Sequence, residues 1–310
     1  MPGPLTIAVV GATATGKSDL ALDLAEACGG EVVNADASQL YAGMDIGTAK
    51  LTESRRRGIP HHQLDVISVT EEASVAAYQR AARADLDGIR ERGRHPVLVG
   101  GSGLYVRAAL DRLEIPPTDR AVRARLEWEA ARVGAANLYA RLREVDPAAA
   151  RHIEPNNVRR IVRALEVLEL TGRPFSATMP RRELLVPTVL IGLRASRPEL
   201  DARIGRRVDA MWRDGLLDEV SRLEAHGLRR GRTAPRALGY AQALAQLDGR
   251  LTEDEAKAET ARLTRRLARR QESWFGADPR IVWLDADAAG LSRRALATVE
   301  TAIRDNDGHG

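Results

Sequence analysis

An α/β fold, with a doubly wound parallel sheet and an inserted helical subdomain, is predicted for this chain from three observations. A short β-branched run, Thr6-Ile7-Ala8-Val9-Val10, ends at a glycine-rich loop that opens a helical pattern. Further apolar runs alternate with helical segments along most of the chain. Between residues 116 and 186 that alternation stops, and helices follow one another without a strand.

Taken in order, Leu20, Leu22, Leu24 and Ala27 favour a helix from Ser18, which Gly29-Gly30 ends. Val32-Val33 opens a second strand. Val75 to Arg92 reads as a helix and Val97-Leu98-Val99 as a strand, with later strands at Thr188 to Leu193 and Ile281 to Leu284. Ile115-Pro116-Pro117 and Val186-Pro187 bracket the insert, so the core is assigned to residues 1–115 and 187–310 and the insert to 116–186. From Arg120 to Arg163 the insert holds ten arginines and five acids. After Asn156-Asn157, the residues Val158, Ile161, Val162, Leu165 and Leu168 form one apolar stripe, and Gly172 follows it. Arg159, Arg160 and Arg163 lie off that stripe. The tail from Arg304 to Gly310 is expected to be disordered.

The chain has 310 residues, 44% of them hydrophobic, enough for a substantial core. No apolar run reaches the length of a membrane span, and Met1-Pro2-Gly3-Pro4 lacks the order of a signal peptide, so a cytosolic protein with no membrane partner is expected. Cys28 is the only cysteine, which excludes an internal disulfide and a multi-cysteine metal site. Its expected role is that of a small buried hydrophobe. Net charge is +4, and Lys17, Lys50 and Lys257 are the only lysines. The arginine bias suits phosphate contacts to RNA, although a GC-rich genome gives the same preference.

Gly11-Ala12-Thr13-Ala14-Thr15-Gly16-Lys17-Ser18 fits G-x4-G-K-[ST] between a strand and a helix, the context a P-loop needs. Glycines let the backbone wrap phosphate oxygens, the helix N-terminus and Lys17 supply positive charge, and Ser18 is a ligand for magnesium. Such a loop identifies a polyphosphate without saying which. NTPases commonly add a strand ending in a magnesium-linked aspartate, yet Pro96-Val97-Leu98-Val99 runs into Gly100-Gly101-Ser102-Gly103. Asp285 has the right spelling but follows the closing strand, where it reads as a turn residue. The second strand leads instead to Asp36, which is open to three roles: general base, magnesium partner through water, or helix cap.

These residues resemble the bacterial tRNA dimethylallyltransferases, also called tRNA isopentenyltransferases, nearly end to end. Besides the P-loop, the similar segments are Asp36 to Tyr41, Gly43 to Lys50, His61 to Asp65, and Leu98 to Tyr105. Later come Pro155-Asn156-Asn157 with Arg159 to Val167, then Leu238-Gly239-Tyr240, and Arg266 to Gln271 before Trp274. The resemblance implies that residues 11–18 hold the diphosphate of dimethylallyl diphosphate, with Mg2+ as cofactor at Ser18. Asp36 would be the base for the adenine N6 amine, Lys17 would assist catalysis, and Ser102 would face the reacting centre. It further implies tRNA contacts at Asp36, Ala37, Ser38, Gln39, Ser102, Arg123, Arg159, Arg160 and Arg163. The family usually has Thr at Ser102 and Ser at Ala37, so a hydroxyl is kept at the first position and lost at the second. Arg207 resembles the family's diphosphate-clamping arginine, the alternative being a solvated helix arginine.

His61-His62 is expected to be structural, since adjacent residues do not both point into one site from regular structure. Five arginines from Arg262 to Arg270 read either as an RNA stripe or as the solvated face opposite Leu263, Leu267 and Trp274, which are expected to be buried. The implied activity is transfer of a dimethylallyl group to N6 of the adenosine immediately 3′ of the anticodon in tRNA, with release of diphosphate. A flipped adenine would lie between core and insert. The partners expected are the tRNA anticodon stem-loop and dimethylallyl diphosphate, for a monomeric enzyme whose P-loop also accommodates ATP. A small-molecule kinase and a free-nucleotide prenyltransferase are the rival readings, and an RNA-binding protein with a dead P-loop is disfavoured by the presence of Lys17, Ser18 and Asp36.

Overall fold

The structure, a computed structural model, describes residues 3–178 and 182–308. Its strands are β1 (Thr6–Gly11), β2 (Glu31–Asn34), β3 (His61–His62), β4 (Pro96–Gly100), β5 (Thr188–Arg194) and β6 (Ile281–Asp285). All pair in parallel in the order β3-β2-β4-β1-β5-β6. The chain leaves β1 toward β2 on one side, and the chain after β4 reaches the sheet again at β5 on the other. The C-terminal ends of β1 and β4 therefore form the topological switch point, where an open parallel sheet leaves a crevice. His61-His62 adds the short edge strand that no apolar run announces, and His62 Nε2 bonds Glu31 Oε2 at 2.7 Å.

Helix α1 (Lys17–Cys28) follows β1 and ends at Gly29 in the left-handed conformation. α2 (Val75–Glu91) is capped by Ser74, and α3 (Gly103–Leu110) follows β4. Ile7, Val9, Val32, Val97, Val189 and Ile191 bury one sheet face against Leu20 and Leu24 of α1, with Ala295 and Val299 from the last helix. The period-two alternation of the strands sends Ala8 and Val10 to the opposite face, where they are also fully buried.

The chain divides into two compact units, residues 111–183 and the remainder. Within the smaller unit, α4 (Arg120–Val133), α5 (Ala135–Val145), the short α6 (Pro147–Ala150) and α7 (Val158–Thr171) enclose a core of their own around Leu126, Leu138, Leu142, Ile161 and Leu165. Asn157 caps α7 by accepting from Arg160 N at 3.2 Å, and Gly172 ends it in the left-handed conformation.

After β5 come α8 (Arg197–Arg213), α9 (Leu216–Ala225), α10 (Tyr240–Leu247), α11 (Glu253–Gly276) and, beyond β6, α12 (Leu291–Gly308). α8 to α11 build a further core around Ile204, Trp212, Val220 and Tyr240. Two expectations are corrected. The segment Arg304 to Gly308 continues α12 instead of fraying, because Ala302 and Ile303 still pack on the sheet's core; His309 and Gly310 lie outside the described residues. Trp274 is 42% exposed, because α11 buries the face carrying Ala261, Ala268, Gln271 and Phe275. Among the described residues, no helix is long and apolar enough to cross a membrane.

Candidate active site

β1 ends at Gly11, whose φ of +138° and close approach to the Leu193 carbonyl leave no room for a Cβ. The loop then carries Ala14 at φ +65° and Gly16 at +85°, and Gly16 starts α1 with no side-chain cap. The first N–H groups of α1 are thus left for a ligand at the positive end of the helix dipole. Thr15 Oγ1 donates to Ala12 O at 2.8 Å, and Lys17 Nζ reaches the same carbonyl, so the loop is folded on itself before any ligand enters. Ser18 stands in the first turn beside Lys17.

Arg207 on α8 meets this loop. Its Nη1 donates to Thr13 Oγ1 at 3.4 Å. Arg203 and Arg206, its neighbours on the helix, instead pair with Glu199, and Arg203 also pairs with Asp287. Of the three, Arg207 alone therefore brings a guanidinium to the P-loop; burial lowers its pKa, against the opposing pull of Asp19.

The turn after β2 is fixed by a side-chain latch. Asp36 N donates to Asn34 Oδ1 at 2.8 Å, and Asn34 Nδ2 donates back to Asp36 O at 3.0 Å and to Gln63 O at 2.9 Å. Asp36 Oδ1 accepts from Ser38 N at 3.0 Å, so one carboxylate oxygen caps a turn, and no α-helix follows. The other oxygen has no hydrogen-bond partner among the described residues. Burial raises the pKa of Asp36, while the Ser38 N–H bond and the Lys17 charge oppose the rise. Burial likewise lowers Lys17 to about 8, with Asp36 resisting and Arg207 assisting. Both residues are half-buried, and burial is the first cause for each.

The turn after β4 packs directly on this one. A Cβ at Gly100 would collide with Ala35, so glycine is required for the contact. Ser102 N donates to Ala35 O at 3.4 Å, and Ser102 Oγ accepts from Ala37 N at 3.3 Å. The serine proton remains free to donate. Ala37 participates through its backbone alone. Gln39 Nε2 donates to Thr48 O at 3.1 Å, joining the Asp36–Gln39 turn to the loop Gly43–Lys50. Asp285, by contrast, ends the edge strand β6 and accepts from Asp287 N at 2.9 Å, as a turn residue does.

Two residues missing from the sequence-based site assignment hold these loops. Glu219 on α9 is buried and accepts from Ile46 N at 2.8 Å, Asp45 N at 3.2 Å and Tyr240 OH at 2.6 Å. Gln271 on α11 accepts from Thr13 N at 2.8 Å and donates to Gly101 O at 2.9 Å. The available signal was a polar residue on an apolar helix face, between Ala268 and Phe275, since a buried amide must be bonded.

The arginines divide sharply. On α7, Arg159 and Arg160 are exposed, whereas Arg163 donates to the carbonyls of Pro116 and Pro117 and to Glu166. Arg123 donates to the same carboxylate at 2.7 Å. On α11, Arg262 pairs with Glu259 and Arg265 with Asp201. Arg266, Arg269 and Arg270 are exposed and have no ion-pair partner among the described residues. With Trp274 they form one stripe at helical spacing, ending where the indole lies against Gly103, next to Ser102.

The family model described as IPP transferase matches residues 39–278. A Streptomyces avermitilis protein named tRNA dimethylallyltransferase is 60% identical over 305 residues, covering 97% of this chain and 98% of the relative. One of the same name from Thermobifida fusca is 62% identical over 298 residues, covering 94% and 93%. Among solved structures, the tRNA isopentenylpyrophosphate transferase of Bacillus halodurans is similar with a TM-score of 0.72 at 37% identity, covering 98% of this chain and 99% of that one. A eukaryotic dimethylallyltransferase acting on tRNA gives 0.84 at 26% identity, over 97% of this chain and 80% of that one. With a glycine-rich loop opening a helix beside Asp36, and relatives matched along nearly its whole length, this chain belongs to the IPP transferase family.

Proposed function

We infer that this chain transfers a dimethylallyl group from dimethylallyl diphosphate to N6 of the adenosine immediately 3′ of the anticodon in tRNA. The observation that carries this reading is the pairing of the P-loop with Asp36 and Ser102. The strand beside β1 ends in a glycine turn packed on Ala35, and the carboxylate near Lys17 comes from the turn after β2. A phosphate cradle facing a raised-pKa carboxylate suits a substrate that gives up a proton as a diphosphate departs.

The N6 lone pair forms the new bond to C1 of the prenyl group. The C1–O bond breaks, and its electron pair leaves with diphosphate. Lys17, Arg207 and the free N–H groups at the start of α1 balance the charge that develops on the leaving group, and Asp36 takes the N6 proton. Ser102 Oγ, anchored by Ala37 N–H, orients the acceptor amine. Among the described residues no cluster of three His, Cys, Asp or Glu is arranged for a metal. The Ser18 hydroxyl would hold magnesium here, and the ion, when bound, would supply charge neutralisation of the leaving group.

tRNA is the acceptor on this reading. Arg159 and Arg160 supply phosphate contacts on the helical unit, and, on the larger unit taken by itself, the Arg266–Trp274 stripe supplies phosphate contacts and a stacking surface. Arg123 and Arg163 support this by shaping the helices that present Arg159 and Arg160. On this reading the enzyme acts as a monomer in the cytosol, where its acceptor is found.

Mass spectrometry of tRNA incubated with the protein, magnesium and dimethylallyl diphosphate tests the assignment. One dimethylallyl group should be added to the adenosine 3′ of the anticodon, with ATP neither needed nor consumed. Efficient modification of AMP with an untouched anticodon stem-loop, or phosphoryl transfer from ATP, would remove it.

A further inference from the structure

Gln271 is 8% exposed and lies on the face of α11 that packs against β1 and α3. Burying a carboxamide is unfavourable unless both of its ends are bonded. Here both are, and each partner belongs to a different loop of the site. Oε1 accepts the N–H of Thr13 in the phosphate loop, and Nε2 donates to the carbonyl of Gly101, one residue before Ser102. The donor and acceptor characters of those backbone atoms fix which end of the amide is which.

Two further features tie the side chain to this place. A Cβ at Gly101 would collide with Gln271 Nε2, so the turn is shaped to admit the amide. One helical turn on, buried Phe275 and Trp274 against Gly103 hold α11 in register with the start of α3. The carboxamide thus spans from the diphosphate cradle to the turn carrying the hydroxyl that faces the acceptor.

We propose that Gln271 is a positioning residue for prenyl transfer, its carboxamide fixing the separation between the P-loop and the Ser102 turn. The proposal rests on the transfer reaction inferred above. Attack by N6 on C1 needs the two substrates held within a few tenths of an ångström of the reactive arrangement. The donor is held by its diphosphate, so a tether from cradle to acceptor turn sets that distance. The Thr13 N–H is committed to the tether, which keeps the loop in shape without a ligand.

Gln271→Met keeps volume and removes both bonds. Its kcat at saturating substrates should fall by about 10²-fold, while its affinity for an anticodon stem-loop stays within about threefold of wild type. Gly101→Ala displaces the native carboxamide and should give the same split between kcat and RNA affinity. The double variant should be no slower than the slower single one, because both changes break one tether. Should Gln271→Met fail to fold, Gly101→Ala decides alone. A kcat within about threefold of wild type in folded Gln271→Met, or effects of the two changes that multiply independently, overturns the proposal. Wild-type protein that leaves tRNA unmodified overturns the transfer reaction itself, and this inference with it.

Discussion

Arg163 and Glu166 sit one turn apart on α7, and the arginine Nη1 donates to the glutamate Oε2 at 2.8 Å. Glu166 is fully buried and also receives Arg123 and the backbone N–H of Asp119. Desolvation favours its protonated form, yet these donors outweigh it and hold its pKa below the ordinary value. The pair therefore stabilises the helical unit above the unfolded carboxylate pKa, and that stability is lost as pH falls through the lowered one.

Arg163 should thus behave differently from its neighbours. Arg159→Ala with Arg160→Ala should weaken tRNA binding and reduce its log–log salt slope by about 0.7 to 0.9 for each phosphate no longer neutralised, with the melting temperature unchanged. Arg163→Ala or Glu166→Ala should instead destabilise the helical unit, by about 1–3 kcal/mol given the partial exposure of the arginines. Thermal melts beside RNA titrations separate the two, and equal melting temperatures throughout would contradict the division.

Asp36→Ala should lower the single-turnover rate by about 10²- to 10⁴-fold while tRNA and donor still bind. Rapid-quench assays with pre-bound substrates measure this. A rate close to wild type would take Asp36 out of the proton transfer.

The titrations of Lys17 and Asp36 should shape the pH profile. Lys17 is cationic below about 8, so kcat/KM for the donor should fall as pH rises through that value in the free enzyme. Asp36, raised by burial, must lose its proton to act, so the acid limb should lie above the ordinary aspartate value. Lys17→Arg keeps its charge and should flatten the alkaline limb at a lower overall rate. Persistence of that limb in the variant would assign it to another group.

Trp274→Ala should weaken binding of the anticodon stem-loop by about 1–3 kcal/mol, the usual value of one base–aromatic stack, and leave diphosphate binding intact. Changing Arg266, Arg269 and Arg270 to Ala should reduce the salt dependence of binding with little effect on rate at saturating tRNA. Stem-loop affinities unchanged across a salt series would make the stripe a solvated helix face and no more.

The P-loop, the strands other than β3 and the apolar stripe of α7 were legible in the sequence, because each is decided by neighbours within a few residues. Gly11, Gly16, Lys17 and Ser18 lie within eight positions, and helix or strand periodicity is a local property. Tertiary structure alone decided what those elements meet. Asp36, Arg207 and Gln271 meet the P-loop from three separate segments, and Ser102 joins them through the Asp36–Ala37 turn, by parallel pairing and packing that periodicity does not encode. Apolar residues every three or four positions mark a buried face without naming its partner. Trp274 was therefore assigned to the interior, although α11 turns Gln271 inward and leaves the indole exposed against Gly103. For the same reason Arg159 and Arg163 looked alike in sequence. Only Arg163 has a carboxylate one turn away on its own helix, and the packing of α4 against α7 is what buries that carboxylate and brings Arg123 to it.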